Sequence, residues 1–247
     1  MKTTLTSLII IALLLAGCKK DSSNTTSPIG KNFLLSTITY GYNHNTSIDQ
    51  YLYDDQKQLI ELDMNSKGYI FKFHYDNSGN VILVSVYETQ HYTLQQTYKY
   101  TYAGNTVTAD QVLPDNVTST GSTYVLTLND KKQLTKSVSP DGEYVLNTFD
   151  ANGNVTQTDF FTPTGQLQNS TTFTYDHKQN PMLTVGNIYH LQIVFGSSAF
   201  STNNIVTNSN VSGAYSYLYL DNGLAASASI PSIYGGIQTV NYDYLVK

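Results

Sequence analysis

The stretch FKFHYDNSGNVILVSV, residues 71–86, decides the fold, because a strand, a turn and a return strand follow one another in it. Its first five residues alternate aromatic and polar side chains, the period-two pattern of a strand with one buried face. Asp76 can then cap a turn with its own side chain, and Gly79 accepts the positive φ that a turn requires. Val81 then begins the apolar return strand. The stretch predicts an antiparallel hairpin with a turn of about five residues.

The same pattern recurs along the chain, always as a large apolar residue, a turn and a return strand. The turns begin at Tyr53, Tyr75, Tyr102, Leu128, Phe149, Tyr175 and Tyr219, and the clearest return strands begin at Leu59, Val81, Leu134 and Val155. No segment after residue 33 has helical periodicity, so we expect almost no helix. The repeat predicts an all-β fold over residues 33–247, a single domain built as an antiparallel meander of successive hairpins. About 14 to 17 strands would form a curved sheet or a closed, barrel-like one.

The chain has 21 tyrosines and no tryptophan. Tyr98, Tyr100 and Tyr102 share one face of a predicted strand, and the tyrosines at 215, 217 and 219 share another. Because the tyrosines recur at strand ends, we interpret them as a structural ladder that packs inside the sheet with its hydroxyls at the wet edge. The functional alternative is a platform on which glycans stack.

The N-terminus has the features of an export signal. Lys2 is followed by the uninterrupted apolar run LIIIALLLA at residues 8–16. At about 1.5 Å per helical residue this run covers less than half of a bilayer core of roughly 30 Å, which favours a secretory signal over a spanning helix. The run ends in LAGC, residues 15–18, which holds the only cysteine of the chain.

The LAGC sequence resembles the bacterial lipobox. That resemblance implies a signal peptide over residues 1–17, cleavage between Gly17 and Cys18, and a diacylglyceryl thioether on Cys18. Anchoring by several acyl chains, at about 0.8 kcal/mol per buried methylene, is effectively permanent. The membrane is then a partner through this lipid. In the Gram-negative sorting of such proteins an aspartate after the cysteine favours the inner membrane, so Lys19 favours the outer membrane.

Residues 18–32 are small and polar after the cysteine, and we interpret them as a lipidated, disordered tether with an average reach of roughly 20 Å. The chain has 13 basic residues, all of them lysine, and a formal net charge of −5. Because phosphate contacts supply most of the affinity for nucleic acids, this composition argues against a nucleic-acid partner. A single cysteine leaves no disulfide to form within the chain.

The sequence lacks the motifs of a nucleophile elbow, a zinc protease, a phosphate loop or a paired-cysteine site. We therefore predict no catalytic residue, no cofactor and no metal. The histidines are scattered without the spacing of metal ligands, and we expect each to be solvated: His44, His74, His91, His177 and His190.

The turn acids leave two alternatives open. A row of turn side chains could bind calcium through the sets Asp76, Asn77 and Asn80, or Asp150, Asn152 and Asn154. Paired carboxylates could instead hydrolyse an extracellular polysaccharide if the fold held two of them about 5 to 10 Å apart. Capping of the turns by aspartate accounts for the same residues without either activity.

The tyrosine–aspartate turns resemble the YD repeats of bacterial RHS-type proteins. A nearer resemblance is to a family of secreted bacterial lipoproteins of unknown function with a porin-like, β-rich fold. It is carried by YDHKQNP at 175–181, STNNIV at 201–206, YSYLYLDNGL at 215–224 and VNYDYLV at 240–246. The resemblance implies a barrel-like fold and provides no catalytic residue. We expect the aromatic rows to face the interior and not lipid. The expected function is a non-catalytic binding or structural module of the outer membrane, with a protein or glycan partner in the envelope.

Overall fold

The computed structural model describes residues 33–42, 45–114, 116, 118–186, 188–232 and 236–247. These residues form a 16-stranded antiparallel sheet, as the repeat predicted. The strands are β1 (Phe33–Tyr42), β2 (Asn45–Tyr53), β3 (Leu59–Met64), β4 (Tyr69–Tyr75), β5 (Val81–Glu88), β6 (Thr93–Ala103), β7 (Thr106–Val112), β8 (Ser119–Leu128), β9 (Leu134–Val138), β10 (Tyr144–Phe149), β11 (Val155–Phe161), β12 (Leu167–Gln179), β13 (Asn203–Asn208), β14 (Ser216–Tyr219), β15 (Ala225–Pro231) and β16 (Ile237–Val246).

The sheet is a meander that curls into a nearly closed barrel-like shape. Strands β1 to β13 follow one another, and β1 also pairs with β16, which continues through β15 to β14. The two outer strands, β13 and β14, are therefore consecutive in the chain. They meet at a seam, where the amide of Tyr215 donates to the carbonyl of Val206 at 2.8 Å. Closing a sheet removes the exposed edges that would otherwise pair with another chain.

The predicted turns lie together at one end of the barrel, which we call the aspartate end. Its five-residue connections are 54–58, 76–80, 129–133, 150–154 and 220–224. Asp76 shows how they are capped: its Oδ1 accepts the amides of Ser78 and Asn80 at 2.8 and 2.9 Å. Gly79 has a φ of 82°, in the left-handed region that the turn requires. Phe33, where β1 begins, pairs with Val246 at this same end.

A β-bulge follows several of these turns and sets which residues face inward. In the pairing of β2 with β3, Leu52 lies opposite Glu61 but Tyr53 lies opposite Leu59, so Ile60 is the extra residue. Leu59 and Leu62 are consequently both fully buried, although they are three positions apart. Val81 with Val84 and Val155 with Thr158 repeat this spacing in β5 and β11.

Tyrosine hydroxyls join neighbouring strands near the bulges. Each of these tyrosines lies at or near the last residue of an even-numbered strand. Its hydroxyl donates to a carbonyl near the start of the odd-numbered strand before it. The pairs are Tyr53 with Leu35 (2.8 Å), Tyr75 with Leu59 (2.7 Å), Tyr102 with Val81 (2.9 Å), Tyr175 with Val155 (2.6 Å), Tyr217 with Ile205 (2.9 Å) and Tyr244 with Ala225 (2.7 Å). We call these six the tyrosine ladder. The structural interpretation of the tyrosines is confirmed, but their hydroxyls are partly buried and bonded, not placed at a wet edge.

An interior segment, residues 181–186 and 188–200, departs from the expected meander. It contains a 3₁₀ turn (Pro181–Val185), a helix α1 (Tyr189–Phe195) and a second 3₁₀ turn (Ser197–Phe200). It enters the barrel from the aspartate end, where the amide of Leu35 donates to Oγ1 of Thr184 at 2.9 Å. Leu191 is fully buried within it. None of the helices that the described residues form has the length and apolar character needed to span a membrane.

The interior segment contains the one α-helix of the described residues, so the expectation of almost no helix is met apart from Tyr189–Phe195. The turn predicted to begin at Tyr175 is absent, because β12 continues to Gln179 and the interior segment follows. Asp176 does not cap a hairpin there. Its carboxylate accepts hydrogen bonds from Asn204 and from the hydroxyl of Tyr219, and so holds strands on both sides of the seam.

The core lies between the interior segment and the inner face of the sheet. Phe71 and Phe73 of β4 and Tyr98 and Tyr100 of β6 are buried, so the aromatic rows of these strands face inward as expected. Burying a large apolar side chain contributes roughly 1.5 to 3 kcal/mol, and the chain has many such positions. The signal peptide and tether predicted for residues 1–32 lie outside the described residues.

Candidate ligand-binding cavity

A cavity of about 460 Å³ lies inside the barrel, between the interior segment and strands β3 to β8. Helix α1 forms one side of it through His190, Ile193, Val194 and Phe195. The lining residues are Met64, Lys67, Tyr69, Phe71, Val86, Gln95, Gln96, Tyr98, Tyr100, Tyr124, His190, Ile193, Val194 and Phe195. The volume is within the range of about 300 to 1,000 Å³ found for small-molecule sites.

His190 of α1 lies at the inner wall of this cavity, among aromatic rings. Its ring centroid is 5.5 Å from that of Phe71, 5.1 Å from that of Tyr98 and 6.1 Å from that of Tyr100. The Tyr100 hydroxyl and His190 Nδ1 are 2.6 Å apart. Burial lowers the pKa of His190 to about 4, so the ring is neutral at physiological pH. The expectation that every histidine is solvated is therefore wrong for His190.

Two tyrosine hydroxyls of the inner wall are bonded to neighbouring side chains. The Tyr98 hydroxyl donates to Oε1 of Gln96 at 2.6 Å, and the Tyr100 hydroxyl is held by His190. Burial raises the pKa of Tyr98 to about 12 and holds that of Tyr100 well above its ordinary value, so both phenols stay protonated. The inner wall thus presents rings and aliphatic groups to the cavity, with the hydroxyls of Tyr98 and Tyr100 already bonded.

The mouth of the cavity is at the end of the barrel opposite the aspartate end. Lys67, in the turn between β3 and β4, and Tyr69, at the start of β4, both line it, and Tyr69 is 44% exposed. Lys67 is exposed as well. Among the described lining residues Lys67 is the only cation, and none is a carboxylate. The mouth is therefore polar and positive, in contrast to the inner wall.

Asp49 and Glu88 lie beside this mouth without lining the cavity. Glu88 is opposite Tyr69 in the pairing of β4 with β5, and its carboxylate accepts the amides of Gln90 and His91 at 2.6 and 3.2 Å. Asp49 is fully buried on β2 and accepts hydrogen bonds from the amide and the hydroxyl of Ser66 at 3.1 and 3.0 Å, and from Tyr40. Burial raises the pKa of Asp49, while these hydrogen bonds and the charge of Lys67 act in the opposite direction. Its oxygens are thus engaged within the wall.

A second cavity, of about 280 Å³, adjoins the first and shares Tyr124 and Ile193 with it. Glu143 is the one carboxylate among its described lining residues. Asn147, on its floor, donates to the Leu134 carbonyl and to the Ser197 hydroxyl, each at 3.0 Å. A third, of about 240 Å³, lies on the aspartate side of the interior segment. None of these cavities brings two described carboxylates together.

The turn aspartates are committed to capping. In the turn that follows β10, Oδ1 of Asp150 accepts the amides of Asn152 and Asn154 at 2.9 and 2.8 Å. Oδ2 accepts the side-chain amide of Asn154 at 3.0 Å, so that asparagine directs its donor, not its oxygen, at the carboxylate. Capping lowers the pKa of Asp150 against the opposing effect of burial. In the described part of the chain no group of three or more His, Cys, Asp or Glu side chains could hold a metal ion.

The residues singled out in the sequence have different positions in the structure. Gly17, Cys18 and His44 lie outside the described residues. The histidines at 74, 91 and 177 are exposed, as expected. Lys67, Gln95, Gln96 and the residues of α1 were missed as site residues. A polar histidine within the apolar run IYHLQIVF, residues 188–195, was the signal that could have indicated a buried partner for it.

The comparisons with known proteins concern the fold. No protein-family model and no curated protein matches the sequence. A porin-like protein from Bacteroides vulgatus is similar in structure with a TM-score of 0.41 and 13% identity, over 86% of this chain and 99% of that one. A porin-like protein from Bacteroides uniformis has a TM-score of 0.41 and 11% identity, over 85% and 97%. A chain of the Photorhabdus luminescens Tc holotoxin pore has a TM-score of 0.31 and 13% identity, over 76% of this chain and 10% of its own.

Proposed function

We propose that the protein is a lipoprotein of the outer membrane, anchored through Cys18, whose barrel-like domain binds a ligand or partner without catalysing a reaction. The observation that carries the binding role is the aromatic cavity of about 460 Å³, which remains open while the turn acids are used in caps. No contact among the described residues supports the alternative of a polysaccharide hydrolase, which needs two acids facing one cleft.

The position of the first strand supports a definite orientation. Strand β1 begins at Phe33, at the aspartate end, whereas the cavity mouth is at the opposite end. A tether that runs from Cys18 to Phe33 would therefore attach the aspartate end to the membrane. The cavity mouth would face away from the lipid, where a partner or a ligand in the surrounding solution can reach it.

The anchor is tested by mass spectrometry of the mature N-terminus and by membrane fractionation. The native protein should begin at an acylated Cys18 and sediment with the outer membrane, whereas Cys18→Ser should carry no lipid. A matched control adds Ser22→Cys to Cys18→Ser, which keeps one thiol but removes it from the LAGC sequence. This double variant should also lack lipid. A native N-terminus without lipid would refute the anchor.

The orientation is tested by thiol labelling of the lipidated protein in nanodiscs. Lys131→Cys places an exposed thiol at the aspartate end, and Gln90→Cys places one at the opposite end. A bulky maleimide should react more slowly at position 131 than at position 90, and detergent should remove the difference. Equal rates in the nanodisc would contradict the proposed orientation.

A further inference from the structure

We infer that the 460 Å³ cavity binds a small amphipathic carboxylate, with its apolar body against the inner aromatic wall and its carboxylate at Lys67. This inference rests on the proposed function, in which the cavity is a binding site, and it adds the chemical class of the ligand. The apolar body can be aromatic or aliphatic, since either kind would pack against the same apolar wall and carry the same carboxylate.

The inner wall favours an apolar body over a sugar. Phe71 and Val86 contribute only carbon to the cavity, and the hydroxyls of Tyr98 and Tyr100 are already bonded to Gln96 and His190. With these two hydroxyls used, a sugar placed there would lose water from its own hydroxyls and find few partners, and such burial is unfavourable. An apolar group gains by leaving water at the same place.

The mouth favours an anion. Lys67 is the only cation among the described lining residues, which include no acid, and its ammonium is carried by an exposed turn. Gln95 and Gln96 add amide groups at the same rim. Two acids beside the rim are engaged in other hydrogen bonds: Asp49 accepts from Ser66 and Tyr40, and Glu88, opposite Tyr69 on β5, accepts the amides of Gln90 and His91. An ammonium and amide donors around a solvated opening are suited to a carboxylate.

The experiment is a calorimetric titration of the full lipidated protein in nanodiscs, with the heat of empty nanodiscs subtracted. The probes are 1-naphthaleneacetate and decanoate, each compared with its neutral alcohol, and cellobiose. We expect a carboxylate to saturate one site per chain and to bind at least about fivefold more tightly than its alcohol. The stronger of the two carboxylate arms identifies whether the body is aromatic or aliphatic.

Two pairs of matched variants locate the site. Lys67→Gln should remove the preference for the carboxylate over the alcohol, while Lys131→Gln, an exposed lysine at the aspartate end, should leave it unchanged. Val194→Trp should weaken binding of acid and alcohol alike, because Val194 is 43% exposed and faces the cavity. Leu183→Trp is its control, since Leu183 is 38% exposed but lines the third cavity instead.

The inference is overturned if the alcohols bind as tightly as the acids, if Lys67→Gln leaves the preference intact, or if no carboxylate binds. Binding of cellobiose alone would also overturn it, but would leave the cavity as the binding site of the proposed function. The membrane anchor is decided separately by the mass of the N-terminus. A failed ligand class is therefore distinguishable from a failed assignment of the protein to the envelope.

Discussion

Replacing Tyr75 with phenylalanine removes one hydroxyl from the tyrosine ladder and leaves the aromatic ring in place. In the native protein this hydroxyl donates to the carbonyl of Leu59 at 2.7 Å in a partly buried position. Leu59 is itself fully buried beside a β-bulge, where the extra residue interrupts the regular pairing. Without the hydroxyl, the carbonyl loses a donor that water cannot easily replace.

The expected cost is about 1 to 2 kcal/mol of unfolding free energy, the usual loss when a buried hydrogen-bonding group is left without its partner. For a chain of this size the midpoint of thermal unfolding should fall by roughly 3 to 6 °C. Urea unfolding followed by circular dichroism measures the free energy directly. The slope of that free energy against urea concentration should not change, because the sheet stays intact.

Tyr69 provides the matched control, because it lies at the other end of the same strand. It is 44% exposed, and in the part of the chain that the structure describes its hydroxyl has no hydrogen-bond partner. Tyr69→Phe should change the unfolding free energy by less than about 0.5 kcal/mol. If Tyr75→Phe is as mild as Tyr69→Phe, the ladder hydroxyls do not hold the strands together and the reasoning fails.

Three further predictions follow from the same contacts. Phe149 occupies a ladder position without a hydroxyl, and the Asn147 side chain donates to the Leu134 carbonyl instead. Asn147→Ala should therefore lower the free energy of unfolding by about 2 kcal/mol in urea titrations. Adding Phe149→Tyr to this variant should recover part of the loss. The pKa of His190 is lowered to about 4 from 6.5 in the folded protein, so between these values the unfolded chain binds a proton that the folded chain does not. The free energy of unfolding should therefore fall by about 2 kcal/mol between about pH 7.5 and pH 5. In His190→Gln this part of the fall should disappear. Asp150→Ala should lower the thermal midpoint equally in calcium and in a chelator, because the carboxylate caps a turn; a calcium-dependent difference would instead support the metal site.

The meander could be predicted because its signals are local. The alternation in residues 71–75 and the positive φ at Gly79 each depend on a few neighbouring residues, and they recur from hairpin to hairpin. The inward rows were predicted for the same reason. The bulges were not, since strict alternation would place Leu59 with Glu61 on one face. The three-residue spacing of Leu59 and Leu62 was the available sign of the extra residue.

The interior segment could not be predicted because its conformation depends on distant strands. Helix α1 has seven residues, too few to show a helical period, and Tyr189, Leu191 and Ile193 alternate as a strand would. The helix is stabilised by packing inside the barrel, where Tyr189 donates to the Lys132 carbonyl at 3.1 Å. Four residues of this segment line the cavity, so the lining could not be identified before the segment was placed.

The seam shows that the repeat side chains can help to close a sheet where backbone pairing is sparse: the amide of Tyr215 donates to the carbonyl of Val206, and side chains add to this contact. Between β13 and β14 the Tyr217 hydroxyl donates to the Ile205 carbonyl at 2.9 Å, the same contact that the ladder makes between strands that are fully paired. Asp176 adds a bridge from β12 to Tyr219 across the same gap. A tyrosine near the end of an even-numbered strand therefore finds a carbonyl acceptor on the strand before it, even where the two strands lack regular backbone pairing. This explains how the chain can insert the interior segment beside β13, at the cost of regular pairing there, and still leave no long open edge.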